Sequence, residues 1–346
     1  MKANKSCIVN LKSFAPSSRL PRYACVPTDF FSVDSGLSTG FTTIFSPLKS
    51  AQKKNLDVFL VFSGDDWNED SVPFKNSILH TKEFMNRYSR EYVLCNVDFS
   101  QADFQKKDVA EDATEKQKAE ALKIAAEYKK KEALGRDYNL NSWPTVFVVS
   151  YEGFVLCEIP FDREADANGT VDAYIEKVEG YAEERKTIKD MILAVRSSTG
   201  TERAAAIDTL VSKSKPKYSD LFKPLIYEFP TLDAEDTTGR LGFYELASAY
   251  YDSYAAIAKK EAPDVPFVKV IEKGHLSKDQ VQEAWYMAAY TLASSDDFDA
   301  EKAKDYLEKS YSTMPNGRNA GKILQALQQM SQFVQMLKES KEESGE

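Results

Sequence analysis

Short apolar runs alternate with amphipathic segments in the first part of the chain. Residues 58–62 and 92–99 are apolar on both faces, which is typical of strands buried on each side of a sheet. Between them, apolar residues at three- and four-residue steps predict a helix over residues 73–86, with Pro73 in its first turn. The same spacing predicts a short helix that starts near Pro47, ahead of the first strand.

A strongly charged segment, residues 101–134, follows the second strand and is predicted to be a loop and then a helix. Its apolar stripe is thin, so we expect this helix to lie on the surface. The stripe consists of Ala119, Leu122, Ala126 and Leu134. The chain then forms a predicted hairpin: a strand directly after residues 143–145, a tight turn at residues 151–153 and a return strand over residues 154–161. Residues 171–178 begin a closing helix.

Beyond residue 180 the pattern changes to helices with hardly a strand signal. Apolar residues at three- and four-residue steps predict helices over residues 181–196, 201–213, 241–260, 278–293, 300–311 and 322–337. Residues 283–315 resemble one tetratricopeptide unit, two helices around a short polar turn. We therefore expect a short repeat-like array, a type that generally binds proteins along a concave face. Its aromatic residues are expected in the core rather than in a ligand site: Trp285, Tyr286, Tyr290 and Tyr306.

The length of 346 residues suits two domains. The patterns predict an irregular N-terminal extension (1–38), an α/β domain (39–180), an all-helical domain (181–340) and a polar tail (341–346).

Net charge and hydropathy exclude some function classes. A formal net charge of -9 argues against a nucleic-acid partner, because phosphate binding requires a basic face. No run approaches the roughly 20 apolar residues of a membrane span. The first 25 residues contain no apolar core of a secretory signal, so the sequence as given is typical of a cytoplasmic protein. An upstream signal would instead place it in the periplasm or outside the cell.

Two short motifs carry a family resemblance. Residues 62–71 read F-S-G-D-D-W-N-E-D-S at the end of the first strand, and W-P-T stands at residues 143–145. The pair resembles bacterial thioredoxin-like proteins, mostly exported, whose turn reads S-G-S-D-W-C-x-x-C. The resemblance covers residues 41–178. It implies a thioredoxin-like α/β fold with a mixed central sheet flanked by helices, in which W-P-T matches the cis-proline motif.

The chain departs from that family at the residues that carry its chemistry. Asn68 and Ser71 stand where the family has its two cysteines, so the turn has neither an attacking nor a resolving thiol. The family also buries an aspartate under the turn, and the matching position here is Val61 or Phe62. We therefore predict no catalytic residue at these degenerate positions.

The four cysteines give no alternative motif. No two of Cys7, Cys25, Cys95 and Cys157 have redox or zinc spacing. In the implied strand order Cys95 and Cys157 lie three strands apart, roughly 14 Å, beyond the ~7 Å Cα limit for a disulfide, so we expect buried inert thiols. Cys7 and Cys25 could pair in an oxidising compartment, and whether they do is left open.

An acidic cluster in the turn invites a metal hypothesis, but it lacks the D-x-D-x-D-G pattern of calcium loops. We expect Asp65 and Asp66 to cap the helix that follows, and we predict no metal and no cofactor. The other acidic residues of the cluster are Glu69 and Asp70.

The resemblance implies a recognition surface that needs no thiol. In the family, the backbone before the cis-proline pairs with an extended chain beside the turn tryptophan. The candidate peptide-binding residues are Trp67, Trp143, Pro144 and Thr145. We predict a redox-inactive module that binds or scaffolds a protein or extended peptide through this groove and the helical domain. Two alternatives stay open: an oxidoreductase or isomerase relative that uses other cysteines or a partner's thiols, and a purely architectural domain. The oligomeric state is not predicted.

Overall fold

The protein is described here from a computed structural model, which describes residues 45–109, 112–167, 169–295 and 298–344. The chain divides into two compact units. One comprises the described residues up to Ser197 together with Thr209–Phe222, and the other comprises Ser198–Asp208 and the described residues from Lys223 onward. The unit that contains the sheet thus continues beyond residue 180, where the sequence pattern changes.

The first unit is built on a mixed four-stranded sheet, as the fold class predicted. Its strands are β1 (Asp57–Ser63), β2 (Tyr92–Asp98), β3 (Thr145–Val149) and β4 (Val155–Ile159). The strand order is β2-β1-β3-β4, with β1 parallel to β2 and the other two pairings antiparallel. This arrangement places the C-terminal ends of β1 and β2 at one edge, where Ser63 pairs with Asp98.

Both faces of the sheet are covered by aromatic side chains, because β1 has apolar residues on both faces. Phe59 packs against Phe84 and Tyr88, with ring centroids 5.3 and 6.0 Å away. Phe62, on the opposite face, packs against Tyr138 at 5.6 Å.

The helices of this unit are α1 (Phe45–Lys54), α2 (Ser71–Phe74), α3 (Lys82–Tyr88), α4 (Gln101–Lys106), α5 (Glu115–Asp137), α6 (Val171–Glu179) and α7 (Ala182–Ser197). The single helix predicted over residues 73–86 is interrupted. After α2 the chain forms a π-helical turn, Lys75–Leu79, and Thr81 then opens α3 by accepting a hydrogen bond from the Phe84 N–H at 3.3 Å. A second π-helical turn is Arg163–Ala167.

The prediction for the charged segment was wrong in two respects. It contains two helices rather than one, and α5 buries Ala121 and Ala133 but leaves Ala119, Leu122 and Ala126 exposed. Leu122 is 72% exposed. Leu134, the last residue of the expected stripe, is buried, and half-buried Tyr128 packs its ring 6.0 Å from Phe99.

The second unit is helical. Its elements are the first part of α8 (Gly200–Lys213) and then α9 (Lys223–Leu232), α10 (Leu241–Lys259), α11 (Val265–Lys273), α12 (Lys278–Ala293), α13 (Ala300–Thr313) and α14 (Ala320–Ser344). Consecutive helices from α9 to α14 pack against one another. Within the described residues, no helix is both long and apolar enough to cross a membrane.

Buried polar groups join α12 to α13 in the stretch that resembles a repeat unit. The Gln282 side-chain amide donates to the carbonyls of Ser310 and Met314 at 3.1 and 3.0 Å, and the Ser310 hydroxyl donates to the Gln282 carbonyl at 2.8 Å. Tyr286 and Tyr306 are buried, as expected for core residues, whereas Trp285 and Tyr290 are half-buried.

Candidate functional site: the turn after the first strand

A hydrogen bond joins the two positions where cysteines would stand. Asn68 Oδ1 accepts from the Ser71 hydroxyl at 2.8 Å and from the Ser71 N–H at 3.0 Å. The Ser71 oxygen in turn accepts from the Gly64 N–H at 3.1 Å. The buried hydroxyl thus has both its proton and its oxygen engaged, so it lacks the adjacent base that a serine nucleophile requires.

Trp67 stands over this turn in a fixed position. A Cβ atom on Gly64 would lie 2.3 Å from a ring carbon of Trp67, so the close contact requires glycine. The indole N–H donates to the Phe99 carbonyl at 2.7 Å. The ring is nevertheless 44% exposed.

The structure brings Trp67 and Trp143 together, although they are far apart in sequence. Their ring centroids are 5.6 Å apart in an edge-to-face arrangement. The Trp143–Pro144 peptide bond is cis, and Pro144 is buried. The backbone N–H and C=O of Trp143 form no hydrogen bond with any described residue.

Thr145 has a different place from the other candidate residues. Its side chain is buried and its hydroxyl donates to the Ser142 carbonyl at 2.6 Å, while its backbone pairs with Phe62 of β1. This side chain therefore holds the loop instead of facing the groove.

The acidic residues of the turn do not cap the helix that follows, which corrects the sequence prediction. Asp66 instead opens α4: its carboxylate accepts from the N–H groups of Gln101 and Ala102 and from the Ser100 hydroxyl. The Ala102 amide and its neighbours lower the pKa of Asp66 to about 2. The start of α2 is held by Asn68 instead, through its bond to the Ser71 N–H.

The remaining carboxylates of the turn form ion pairs. Asp65 contacts Lys75. Arg163 binds Asp70 at 2.8 Å and also contacts Glu69. The second π-helical turn, which Arg163 begins, is thereby linked to the turn after β1. Within the described residues, no group of three or more His, Cys, Asp or Glu side chains could hold a metal ion.

One carboxyl group at the turn was missed by sequence reasoning. Asp98, at the end of β2, accepts from the Asp65 N–H at 2.9 Å, and burial raises its pKa. The available signal was the pairing of β1 with β2, since the C-terminal ends of adjacent parallel strands meet at one edge. A half-buried acid is thus present beside the turn, although not at Val61 or Phe62.

The described cysteines lie within the sheet, not in the turn. Cys95 pairs with Leu60 on β1, and Cys157 pairs with Val148 on β3. Burial raises the pKa of each thiol to about 11. Cys7 and Cys25 fall outside the described residues.

Comparison with known proteins agrees with this geometry. Residues 44–160 match the family model described as a thioredoxin-like domain. The chain carries a thioredoxin-like domain. Residues 241–335 match a second family, described as an uncharacterised protein C-terminal domain, so the helical part of the chain is itself a recurring unit.

Two individual proteins resemble parts of the chain. An uncharacterized protein of Treponema pallidum (strain Nichols) is 25% identical over 138 residues, which are 39% of this chain and 46% of that protein. The chain thus matches less than half of that relative's length. A solved structure described as DsbH Oxidoreductase covers 46% of this chain and 91% of its own, with 18% identity and a TM-score of 0.27, a likeness too slight to bear on function.

Proposed function

We propose that this protein is a thioredoxin-like binding module without redox activity, which holds an extended segment of a protein or peptide at the edge formed by Trp67, Trp143 and Pro144. The helical unit would act as a second protein-binding or scaffolding surface, a role typical of arrays of consecutively packed helices.

The backbone of Trp143 is the observation that carries this proposal. Its N–H and C=O have no partner among the described residues, and the chain enters strand β3 only two residues later, at Thr145. An extended chain could pair with these two groups as an added strand does, and such pairing needs no thiol.

The chemistry of the turn supports binding over catalysis. Asn68 and Ser71 bond to each other where a disulfide would form, and neither can be oxidised or attack a disulfide. The two described thiols have a raised pKa and lie within the sheet, which leaves little thiolate at neutral pH.

Backbone pairing is tested by methylating a ligand. Peptides selected on the full-length chain from a library of unstructured sequences would be resynthesised with N-methyl groups at alternate amides, in both registers. We expect one register to lose at least tenfold in affinity and the other to keep it, because only alternate amides of a strand face one neighbour.

Protein variants complete the test. Pro144→Ala, which removes a ring from the proposed edge, is expected to weaken binding, whereas Phe104→Leu, which changes an exposed aromatic of α4, should not. Equal binding of both N-methylated registers, or selection of no peptide, would reject the proposal. Insulin reduction by the wild-type chain with dithiothreitol above the uncatalysed rate, abolished by Cys7→Ser or Cys25→Ser, would favour the oxidoreductase alternative.

A further inference from the structure

Trp67 offers a ligand only the carbon surface of its ring. Its N–H is engaged with the Phe99 carbonyl, and Gly64 and Trp143 fix the ring against the turn. A rigid indole without a free donor contacts a partner through its π surface, and among aromatic rings the indole attracts cations most strongly.

The other exposed aromatic rings of the described chain already carry a cation. Among the described residues, the exposed aromatic side chains are Trp67, Phe104 and Tyr227. Lys107 Nζ lies 3.5 Å from the Phe104 ring centroid, and Lys223 Nζ lies 5.9 Å from that of Tyr227. Trp67 is the most exposed of the three, and no cation of the described residues lies over its ring.

The charges around Trp67 favour a cationic partner. Asp65, Asp66, Glu69 and Asp70 lie within three residues of it, and among the described residues their ion-pair partners are Lys75 and Arg163. Asp66, next to Trp67, accepts only from backbone N–H groups and the Ser100 hydroxyl, so its negative charge has no cation beside it. The turn therefore keeps an excess of negative charge beside an open ring.

We infer that the exposed surface of Trp67 is a cation subsite, and that the segment bound at Trp143 is an extended peptide with an arginine or lysine side chain over that ring. This inference rests on the proposed function, since backbone pairing at Trp143 is what makes the ligand a peptide rather than a free cation. The cation would be attracted both by the ring and by the carboxylates beside it.

The test uses capped nine-residue peptides of threonine and valine with one central arginine. Citrulline, which keeps the shape of arginine without the charge, and glutamate replace the arginine in matched peptides. In a second set of peptides the substituted position is shifted by one residue, because alternate side chains of a strand point to opposite sides and only one side can face the ring. Binding to the full-length chain is measured by calorimetry at low salt.

We expect the arginine peptide of one set to bind about three- to tenfold more tightly than its citrulline form, the size of a partly exposed cation–π contact. Trp67→Leu should abolish this ratio, and Trp67→Phe, a smaller aromatic, should leave part of it. The matched control Phe104→Leu should keep the full ratio. Circular dichroism and thermal midpoints check that each variant folds. If Trp67→Leu does not fold, the result for Trp67→Phe decides the test.

The outcomes separate this inference from the proposed function. Equal binding of the arginine and citrulline peptides, with loss on N-methylation, would overturn the cation subsite and leave the peptide groove standing. A ratio that persists in Trp67→Leu, or free arginine amide that binds as tightly as the peptide, would also overturn it. Failure of every peptide to bind would reject both.

Discussion

Gly64 decides where the tryptophan of the turn lies. Its absent side chain is the space that the Trp67 ring occupies, and the ring cannot move freely because its N–H is bonded to Phe99. Replacing the Gly64 hydrogen by a methyl group should therefore disturb both the turn and the proposed binding edge.

Gly64→Ala should displace the Trp67 ring and destabilise the thioredoxin-like unit by about 1–3 kcal/mol, because the new Cβ would overlap the indole. Chemical denaturation and the emission of Trp67 measure this effect. Gly321→Ala is the control, since a Cβ there meets nothing within 4 Å, and it should be neutral or slightly stabilising. An unchanged stability and emission of Gly64→Ala would contradict the close contact.

Asp66 should titrate well below an ordinary aspartate. Its pKa is lowered to about 2 by the amides of α4, so its contribution is present above about pH 4 and is lost as the pH falls towards 2. Carbon-13 NMR of the side-chain carboxyl measures the titration directly. Asp66→Asn should remove the low-pH transition and speed amide exchange at Gln101 and Ala102, whereas Glu69→Gln should leave both unchanged. A midpoint near 4 would show that the cap does not form.

At the level of elements, the turn and α2 are joined through side chains. Asn68 Oδ1 and Ser71 Oγ lie 2.8 Å apart, so cysteines at these two positions would point toward each other. Helix α2 lasts only one turn before the chain widens into the π-helical segment, so the turn depends on its own hydrogen bonds more than on a long helix.

Cysteines introduced at both positions should therefore form a disulfide. Asn68→Cys combined with Ser71→Cys should oxidise to an intramolecular bond and stabilise the domain by about 2 kcal/mol relative to its reduced form. Mass spectrometry after alkylation counts the thiols before and after oxidation. Asn68→Cys alone is the control and should keep its thiol. A double variant that resists oxidation would mean that the two side chains do not meet.

The α12–α13 pair depends on buried polar groups rather than on apolar area alone. Gln282→Leu should destabilise it by about 2–3 kcal/mol, because the carbonyls of Ser310 and Met314 lose their donor in a buried position. Native-state hydrogen exchange of the amides in α12 and α13 reports this loss. Gln328→Leu changes an exposed glutamine on α14 and should have little effect. Equal exchange in both variants would refute the role of Gln282.

At the scale of the whole molecule, the described thiols should be nearly unreactive under native conditions. In a Cys7→Ser, Cys25→Ser background, Cys95 and Cys157 should react with iodoacetamide at pH 8 about 100-fold more slowly than after unfolding, because burial raises each pKa to about 11 and blocks access. Reactivity should rise as the pH approaches 11. Rapid labelling of the native protein would show that a thiol is accessible and ionised, and would contradict the raised pKa values.

The sequence predicted much of the fold because its signals are local or strongly periodic. The run that became β1 is apolar and buried on both faces, and α12 has the bounds that its spacing predicted. The expectation that β2 is also buried on each side was wrong, because β2 lies at the edge of the sheet and its Asn96 is exposed. Helices α9 and α11 were missed, since each contains a proline, Pro230 or Pro266, and tertiary packing outweighs that signal. The buried face of α5 was assigned wrongly except at Leu134, because a stripe of two alanines and two leucines is too thin to determine which side of the helix is buried.

The sequence by itself determined the absence of sulfur at the turn and the order of elements around it, because residue identity and hydrophobic periodicity can be read without the tertiary structure. Only the tertiary structure decided that Trp67 contacts Trp143, that Asp66 opens α4 and that Asp98 reaches the turn. These contacts join residues more than 30 positions apart, and their partners are set by strand order and register. The proposed peptide-binding edge is such a long-range property, since it requires two distant segments to meet.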